Sequence, residues 1–177
     1  EGYHLGNLGN AYANLVETSK AIEHYDQALK IAREIGDRRG EGNRLGNLGL
    51  AYSHQGETSK AIEHYDQALK IAREIGDRKG EGTDLGKLGS AYADLGETRK
   101  AIEYYEQQLV IAREIGDMHG ESNVSWNLGL EYEKAGDLKR AVDLMKILVE
   151  FEREIGHADA EKDAEYLEKL RARLGKK

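Results

Sequence analysis

The amino-acid sequence predicts an all-α fold, a solenoid of antiparallel helical hairpins that ends in a capping helix. Two observations predict it. The chain repeats itself every forty residues, because residues 1–40 match residues 41–80 at 32 of 40 positions and the next block matches at 26 of 40. Within each block, apolar residues recur at spacings of three and four, the period of one helix face. A repeat of this length buries its apolar face only against neighbouring repeats, as in a solenoid.

The repeats divide one predicted domain, residues 1–177, into four hairpins and a final helix. We place the hairpins at residues 1–40, 41–80, 81–120 and 121–157, and the capping helix at residues 158–174. The final helix is expected because a solenoid needs a cap over its last apolar face. Its apolar stripe consists of Leu167, Leu170 and Leu174.

Each helix of the first hairpin carries an apolar face, and the two faces form the predicted core of the repeat. The face of the first helix consists of Leu5, Leu8, Gly9 and Tyr12. The face of the second helix consists of Ala21, Ile22, Tyr25, Ala28, Leu29, Ala32 and Ile35.

Short polar segments separate the helices. Thr18 is the predicted N-cap of the second helix, and Gly36 can take the left-handed conformation that ends it. Asp37 can then cap the next helix at once. Gly56 and Gly96 mark the turn inside the second and third hairpins. The hairpins therefore follow one another with almost no linker.

The stretch LGNLGNAY contains two glycines inside a predicted helix, where each costs about 0.5–1 kcal/mol relative to alanine. Gly9 lies on the core face, where the missing side chain lets its helix approach Ala21 and Ala28. Gly6 lies on the flank of the opposite face, so a core-packing reason does not apply to it.

Composition and charge exclude several classes of function. A net charge of −7 argues against non-specific nucleic-acid binding, and no apolar run approaches the 18 or so residues that span a bilayer. The absence of cysteine permits a reducing compartment, so we expect a cytoplasmic protein. The six histidines show no ligand spacing, and no acid or serine lies beside a plausible base. We therefore expect no metal, no cofactor and no enzymatic activity.

The stretches LGNLGNAY and ETSKAIEHYDQALKIA resemble a tetratricopeptide repeat (TPR). The positions that carry the resemblance are Leu8, Gly9, Tyr12, Ala21, Tyr25 and Ala28. All six recur forty residues later, and all but the last recur eighty residues later. The chain has no proline, and its second helices run about six residues longer than in the common 34-residue form. It is therefore similar to the forty-residue subclass seen in spindle-orientation adaptors, kinesin light chains and bacterial signalling proteins. The resemblance covers residues 1–155 and implies a right-handed superhelix.

In such a stack the first helix of each repeat lines the concave wall, so the resemblance implies that its polar face borders a groove. At 100° per residue, Tyr3, Asn7, Asn10 and Asn14 form this face in the first repeat. Corresponding or flanking residues complete the predicted peptide-binding groove: Asn43, Arg44, Asn47, Leu50, His54, Asp84, Lys87, Asp94, Asn123, Trp126, Asn127, Leu130 and Lys134.

The differences between the first two repeats concentrate on this face. Five of the eight lie on it or beside it, whereas residues 17–38 are identical to residues 57–78. This pattern favours diversification of a binding groove over neutral drift, which would also have changed the exposed side of the second helix. A recent duplication of part of the repeat would give the same pattern, so drift stays an alternative.

Asparagine occupies one register of the groove in three repeats, at Asn7, Asn47 and Asn127, and Lys87 takes it in the other. An amide both donates and accepts, so a ladder of amides can bind the backbone of an extended peptide. The alternative is that asparagine is a tolerated exposed residue. The apolar members of the groove are Tyr3, Leu50, Trp126 and Leu130. Its positive and negative charges nearly cancel and do not dictate a basic ligand.

Chaperone-binding TPR proteins hold a peptide's terminal carboxylate with two lysines, two asparagines and a further basic residue. The matching positions in this chain are Gly6, Asn10, Asn47, Thr83 and Lys87. Because Gly6 and Thr83 stand where the family has its two lysines, we do not expect a carboxylate clamp.

Three residues of the fourth repeat form a second apolar stripe on a helix that already has a core face: Leu144, Ile147 and Phe151. The simpler interpretation is that the capping helix covers the last repeat and that Trp126 packs near it. The alternative is a surface for self-association or for a partner.

We therefore expect a protein–protein interaction scaffold that binds an extended peptide or partner segment in the groove. The alternative is a structural or self-associating array whose similar repeats stack end to end at the N-terminus. The first residue is Glu1 rather than methionine. This indicates a processed chain, an engineered chain or a fragment of a longer array.

Overall fold

The computed structural model of the protein describes residues 2–14 and 17–175, which form α-helices joined by short turns. The helices of this part are α1 (Gly2–Asn14), α2 (Thr18–Glu34), α3 (Arg38–His54), α4 (Thr58–Glu74), α5 (Arg78–Asp94), α6 (Thr98–Ile115), α7 (Met118–Lys134), α8 (Leu138–Ile155) and α9 (Ala160–Leu174). The predicted all-α fold of successive helical hairpins is confirmed. No helix within the described residues is long and apolar enough to cross a membrane.

Packing divides the chain into two compact units, residues 1–91 and residues 92–177, with the boundary inside α5. The core of the first unit joins α2, α3 and α4 through Ala21, Tyr25, Leu29, Leu45, Leu48, Ala51, Ala68 and Ile71. The core of the second unit joins α6, α7, α8 and α9 through a set that includes Tyr105, Leu109, Val124, Leu128, Met145, Val149, Leu167 and Leu170. Each core therefore bridges neighbouring hairpins. The single domain over residues 1–177 stays a prediction.

The turns within and between hairpins mostly follow the local sequence. Gly36 and Gly56 have φ angles of 71° and 76°, the left-handed region that glycine adopts without steric cost. The Asp37 side chain accepts a hydrogen bond from the Gly40 N–H at 2.8 Å and caps α3 as predicted. The prediction for Thr18 was wrong, because the N-cap of α2 is Glu17, whose side chain makes no capping hydrogen bond.

Two predicted core residues of the first hairpin, Leu8 and Ile35, are exposed, and three others are half-buried. Leu8 is 42% exposed, whereas Leu48 at the same register of α3 is fully buried. The difference arises because α2 packs against α3, while no helix of the described part packs on α1 from the other side. Ile35 is 71% exposed, whereas Ile75 at the same register packs against the core of the first unit.

Gly9 allows a close approach of a core side chain. The three atoms nearest to a Cβ atom at this position belong to the Tyr25 ring, with Cε1 at 2.6 Å, and the approach to Ala21 and Ala28 stays a prediction. Gly49 has the same relation to Tyr65, with a Cβ atom 2.5 Å from Cδ1. In the first two repeats, the core glycine therefore leaves space for a buried tyrosine ring to pack against the helix backbone.

An arginine and a glutamate eight residues apart join each hairpin to the helix that follows it. The distances from arginine Nε to the carboxylate oxygen are 2.8 Å for Arg33–Glu41, 2.8 Å for Arg73–Glu81, 2.7 Å for Arg113–Glu121 and 3.2 Å for Arg153–Glu161. At Glu81 a second guanidinium, from Arg78, lies 2.5 Å away. Burial alone would raise the pKa of Glu81, but the hydrogen bonds from the two arginines hold it below its ordinary value.

We predict that Glu81→Gln destabilises the protein at neutral pH by about 1 kcal/mol, because its charge-assisted hydrogen bonds involve arginines that are half exposed. The folded pKa of Glu81 lies below the unfolded one. The stabilisation is therefore present above the unfolded pKa and is lost as the pH falls through the folded pKa. Urea unfolding of both proteins between about pH 6 and about pH 3 measures this. The difference in unfolding free energy should shrink towards acid, and a constant or growing difference would contradict the assignment. The variant must be compared with the parent chain at each pH, because Asp84, whose pKa is raised, changes the unfolding free energy with pH in the opposite direction to Glu81. This contribution is present in both proteins and cancels in the difference.

Candidate functional site

A polar cavity of about 370 Å³ lies in the first unit between the first helices α3 and α5. Four residues of the predicted groove line it: Asn43, Asn47, Asp84 and Lys87. The other lining residues are Arg39, Gly42, Gly46, Asp77, Lys79, Gly80 and Thr83. The structure therefore brings polar side chains of two neighbouring repeats together on the face that the helical period selects.

Glycine at one register opens the space for this cavity. A Cβ atom at Gly46 would lie 2.9 Å from the Lys87 ammonium and 3.6 Å from an oxygen of Asp84. At Gly6, one repeat earlier, the Arg44 guanidinium occupies the corresponding place. The glycine lets a polar side chain of the next first helix lie directly over the helix backbone, which accounts for Gly6 without any role in the core.

The floor of the cavity carries a charged pair above an aromatic ring. Asp84 is 7% exposed, and Lys87 Nζ lies 3.2 Å from its carboxylate and 5.5 Å from the centre of the Tyr65 ring. Burial raises the pKa of Asp84, and the neighbouring ammonium opposes that rise. Burial also raises the pKa of Tyr65 to about 12. The pair thus presents one donor group and one acceptor group in a partly desolvated place, where hydrogen bonds are stronger than in water.

Part of the predicted asparagine ladder is bonded within the protein. The side-chain oxygen of Asn10 accepts hydrogen bonds from the Tyr25 hydroxyl at 2.8 Å and from the Asn47 amide at 3.3 Å. Since an amide has two N–H donors and an acceptor oxygen, Asn47 keeps the capacity to bond a ligand after this contact. The two asparagines belong to neighbouring repeats, so their bond also fixes the spacing of the polar face.

The remaining groove residues of the first unit lie at its surface. Tyr3 is 72% exposed, Leu50 is 45% exposed, and Asn7 and His54 are exposed as well. Tyr3 and Arg44 line a further cavity of about 470 Å³ that α2 also borders. Asn14 ends α1, and its side chain lies outside the described part of the chain.

In the second unit, several predicted groove residues are engaged by their neighbours. Trp126 is half-buried, and its ring centre lies 5.6 Å from that of Tyr166 on α9, so the expectation that it packs near the final helix is met. The Asn123 amide lies 2.9 Å from Nδ1 of His119. Lys134 lies 2.5 Å from the carboxylate of Glu131 within the same helix.

The other three groove residues of the second unit differ in their exposure. Leu130 is half-buried against the core, whereas Asp94 and Asn127 are exposed. The final helix begins at Ala160, two residues later than predicted, and Tyr166 and Arg173 on it both bond Glu133. This helix therefore occupies the place beside α7 that a further first helix would take.

The three residues of the second apolar stripe in the fourth repeat have different neighbours. Leu144 packs against the core of the second unit, whereas the Phe151 ring lies 6.0 Å from His119 at the start of α7. Ile147 is half-buried. The three side chains therefore have different surroundings, and Leu144 also lines a cavity of about 520 Å³.

A family model described as tetratricopeptide repeat matches residues 2–74 and 83–146, which is more than half of the chain. The chain belongs to the tetratricopeptide repeat family. TPR proteins are generally protein-interaction scaffolds and typically not enzymes, so the coarse functional expectation from the sequence is met. No curated protein sequence matches the chain.

Solved structures with TPR-like architecture are similar to the chain over nearly its whole length. The apo form of RapI matches with a TM-score of 0.87 at 20% identity, over 99% of this chain and 49% of RapI. BtubC from P. vanneervenii matches with a TM-score of 0.73 at 21% identity, over 97% of this chain and 80% of BtubC. A kinesin light chain with nearly identical TPR-like repeats, from Podosopora anserina, matches with a TM-score of 0.72 at 17% identity, over 99% and 96%. At these identities the likeness concerns the fold alone, and the chain spans about half the length of RapI.

The sequence interpretation missed several residues of the TPR face. Arg39, Lys79 and Thr83 line the cavity but were not among the predicted groove residues. Arg39 lies four residues before Asn43 on α3. Lys79 and Thr83 lie eight and four residues before Lys87 on α5. Thr83 stands at the register of Asn43, so the forty-residue repeat would have found it. Extending the helical period by one turn towards the N-terminus would have found Arg39 and Lys79. Among the described residues, no group of three or more His, Asp or Glu side chains is placed to hold a metal ion.

Proposed function

We propose that this TPR chain is a scaffold that binds an extended segment of a partner protein along the polar face of its first helices. The observation that carries the proposal is the cavity between α3 and α5, where amide, ammonium and carboxylate groups converge. Such a set can bond both the N–H and the C=O groups of a peptide backbone, which occur in every sequence.

Each group has a distinct role in this proposal. Asn43 and Asn47 pair with backbone amides of the ligand, Lys87 donates to a carbonyl or carboxylate oxygen, and Asp84 accepts from an N–H. Each hydrogen bond contributes only about 0.5–1.5 kcal/mol net, so one cavity gives weak binding. Useful affinity therefore requires Asn7, at the same register of the first repeat, to contribute as well.

The test is a peptide-display selection on the purified chain, with affinities of the enriched peptides measured by calorimetry. We expect the double variant Asn47→Ala/Lys87→Ala to weaken binding by about 10- to 100-fold, since two polar contacts are lost. The matched control is Gln67→Ala/Lys70→Ala, which changes two exposed residues of the second helix α4. The control should bind like the parent chain.

Two results would contradict the proposal. One is that no peptide is enriched from a diverse library although circular dichroism shows that the chain is folded. The other is that enriched peptides bind the Asn47→Ala/Lys87→Ala variant and the parent chain equally well.

A second candidate is a structural array whose repeats stack end to end, and the surface of α1 supports it. Leu8 is 42% exposed and Ala11 is exposed, whereas Leu48 is fully buried and Ala51 is 4% exposed at the same registers of α3. A helix like α2 covers these positions in the second repeat. The same kind of helix, from another hairpin, would cover them in the first. A Leu8→Glu variant tests this surface in the association experiment described next.

A further inference from the structure

A second cavity, of about 520 Å³, lies in the second unit on the side formed by the second helices α6 and α8. Its floor is apolar and well packed, because Leu109, Leu128 and Tyr132 are only 7%, 2% and 6% exposed. Val110 from α6 and Leu144 from α8 also line it. Helices α6, α7 and α8 border it, and its exposed member Val110 lies on a second helix, outside the predicted peptide-binding groove.

The apolar character of this cavity comes from two positions where the repeats differ. Val110 stands at the register of Lys30 and Lys70, and Leu144 stands at the register of His24 and His64. Val110 is 55% exposed on a helix, where a β-branched residue is a poorer helix former than lysine. Neither core packing nor helix propensity accounts for an exposed valine at this place.

The charged residues around the cavity are two acidic and two basic: Glu106, Asp143, Arg113 and Arg140. Several are held by contacts within the chain. The Tyr132 hydroxyl donates to Glu106 at 2.5 Å and accepts from Arg140 at 3.0 Å, while Arg113 pairs with Glu121. A site for a strongly charged ligand would carry one sign of charge. A balanced set of charges instead complements another copy of itself.

We infer that this cavity is a self-association surface, in which Val110 of one copy enters the cavity of a second copy. A two-fold interface joins the same patch from both chains, so the patch must carry both a projecting group and a hollow. The exposed Val110 beside an apolar hollow meets that condition. The two acidic and two basic residues allow each charge to lie opposite a charge of the other sign on the second copy. The surface includes Leu144 but not Phe151, which packs against His119 instead.

Sedimentation equilibrium between about 1 µM and about 1 mM tests the inference. The apparent mass of the full chain should rise towards twice the chain mass of 19.8 kDa. Val110→Lys, which installs the residue that the first two repeats carry there, should lower the association constant at least about tenfold. It should leave the melting curve unchanged, because lysine is accommodated at this register in two other repeats. Leu95→Lys, at a similarly exposed position outside the cavity, is the matched control and should associate like the parent chain.

Three outcomes would overturn the inference. The parent chain could stay monomeric throughout the range, or Val110→Lys could associate as strongly as the parent. Alternatively, Leu8→Glu could abolish association while Val110→Lys leaves it intact, which would assign the interface to α1. None of these outcomes bears on peptide binding, so the two proposals fail independently.

Discussion

Replacing Gly49 by alanine will lower the free energy of unfolding by about 1–2 kcal/mol, although alanine is the better helix former. The new methyl group would lie 2.5 Å from Cδ1 and 3.0 Å from Cζ of Tyr65. That ring is 3% exposed and cannot swing away without moving the core. The overpacking cost therefore exceeds the gain of about 0.5–1 kcal/mol in helix propensity.

The control for this prediction is Gly46→Ala, one turn away on the same helix. Its methyl group would lie 2.9 Å from the far end of the flexible Lys87 side chain, which can shift, and 3.6 Å from an Asp84 oxygen, an ordinary contact distance. Helix propensity then dominates, and we expect no change or a stabilisation of about 0.5 kcal/mol. Urea unfolding followed by far-ultraviolet circular dichroism measures both variants. Equal effects of the same sign would show that helix propensity alone governs these glycines.

Truncation of Leu48 to alanine will have the largest effect of any change considered, a loss of about 3 kcal/mol. Leu48 is fully buried in the core that joins α2, α3 and α4, so truncation leaves a cavity as well as losing apolar contact. The equivalent change at Leu8 should cost less than about 1 kcal/mol, because this side chain is 42% exposed.

The comparison of Leu8→Ala with Leu48→Ala is informative because the two leucines occupy the same register of similar repeats. Thermal or urea unfolding of the two variants under identical conditions measures the difference. If both cost about 3 kcal/mol at protein concentrations that favour association, the α1 face is covered in solution. If both cost little, the packing of α2 against α3 has been assigned wrongly.

The hairpins, their order and most turns could be predicted because local sequence determines them. Gly36 ends α2 and Asp37 begins α3 through backbone conformation and a hydrogen bond within four residues. Burial could not be predicted as well, since it depends on which helices lie nearby. Leu8 and Leu48 have the same sequence surroundings but differ from 42% to 0% in exposure.

The polar face could be placed from the helical period, but its bonding could not. Nothing in the spacing indicates that Asn10 accepts from Tyr25 and from Asn47, or that Tyr166 lies against Trp126. These contacts depend on side-chain positions across helices. Val110 and Leu144 could be recognised from the sequence as apolar residues on second helices. That they line one cavity depends on how α6 and α8 each pack against α7.

The most direct measurement of the central proposal is a nuclear magnetic resonance titration of the isotopically labelled chain with a peptide from the selection. Binding along the first helices predicts saturable shifts of the side-chain amide signals of Asn43 and Asn47. The backbone signals around Lys87 should shift at the same peptide concentration. Shifts confined to the exposed sides of α2 and α4, or to the cavity beside Val110, would contradict it.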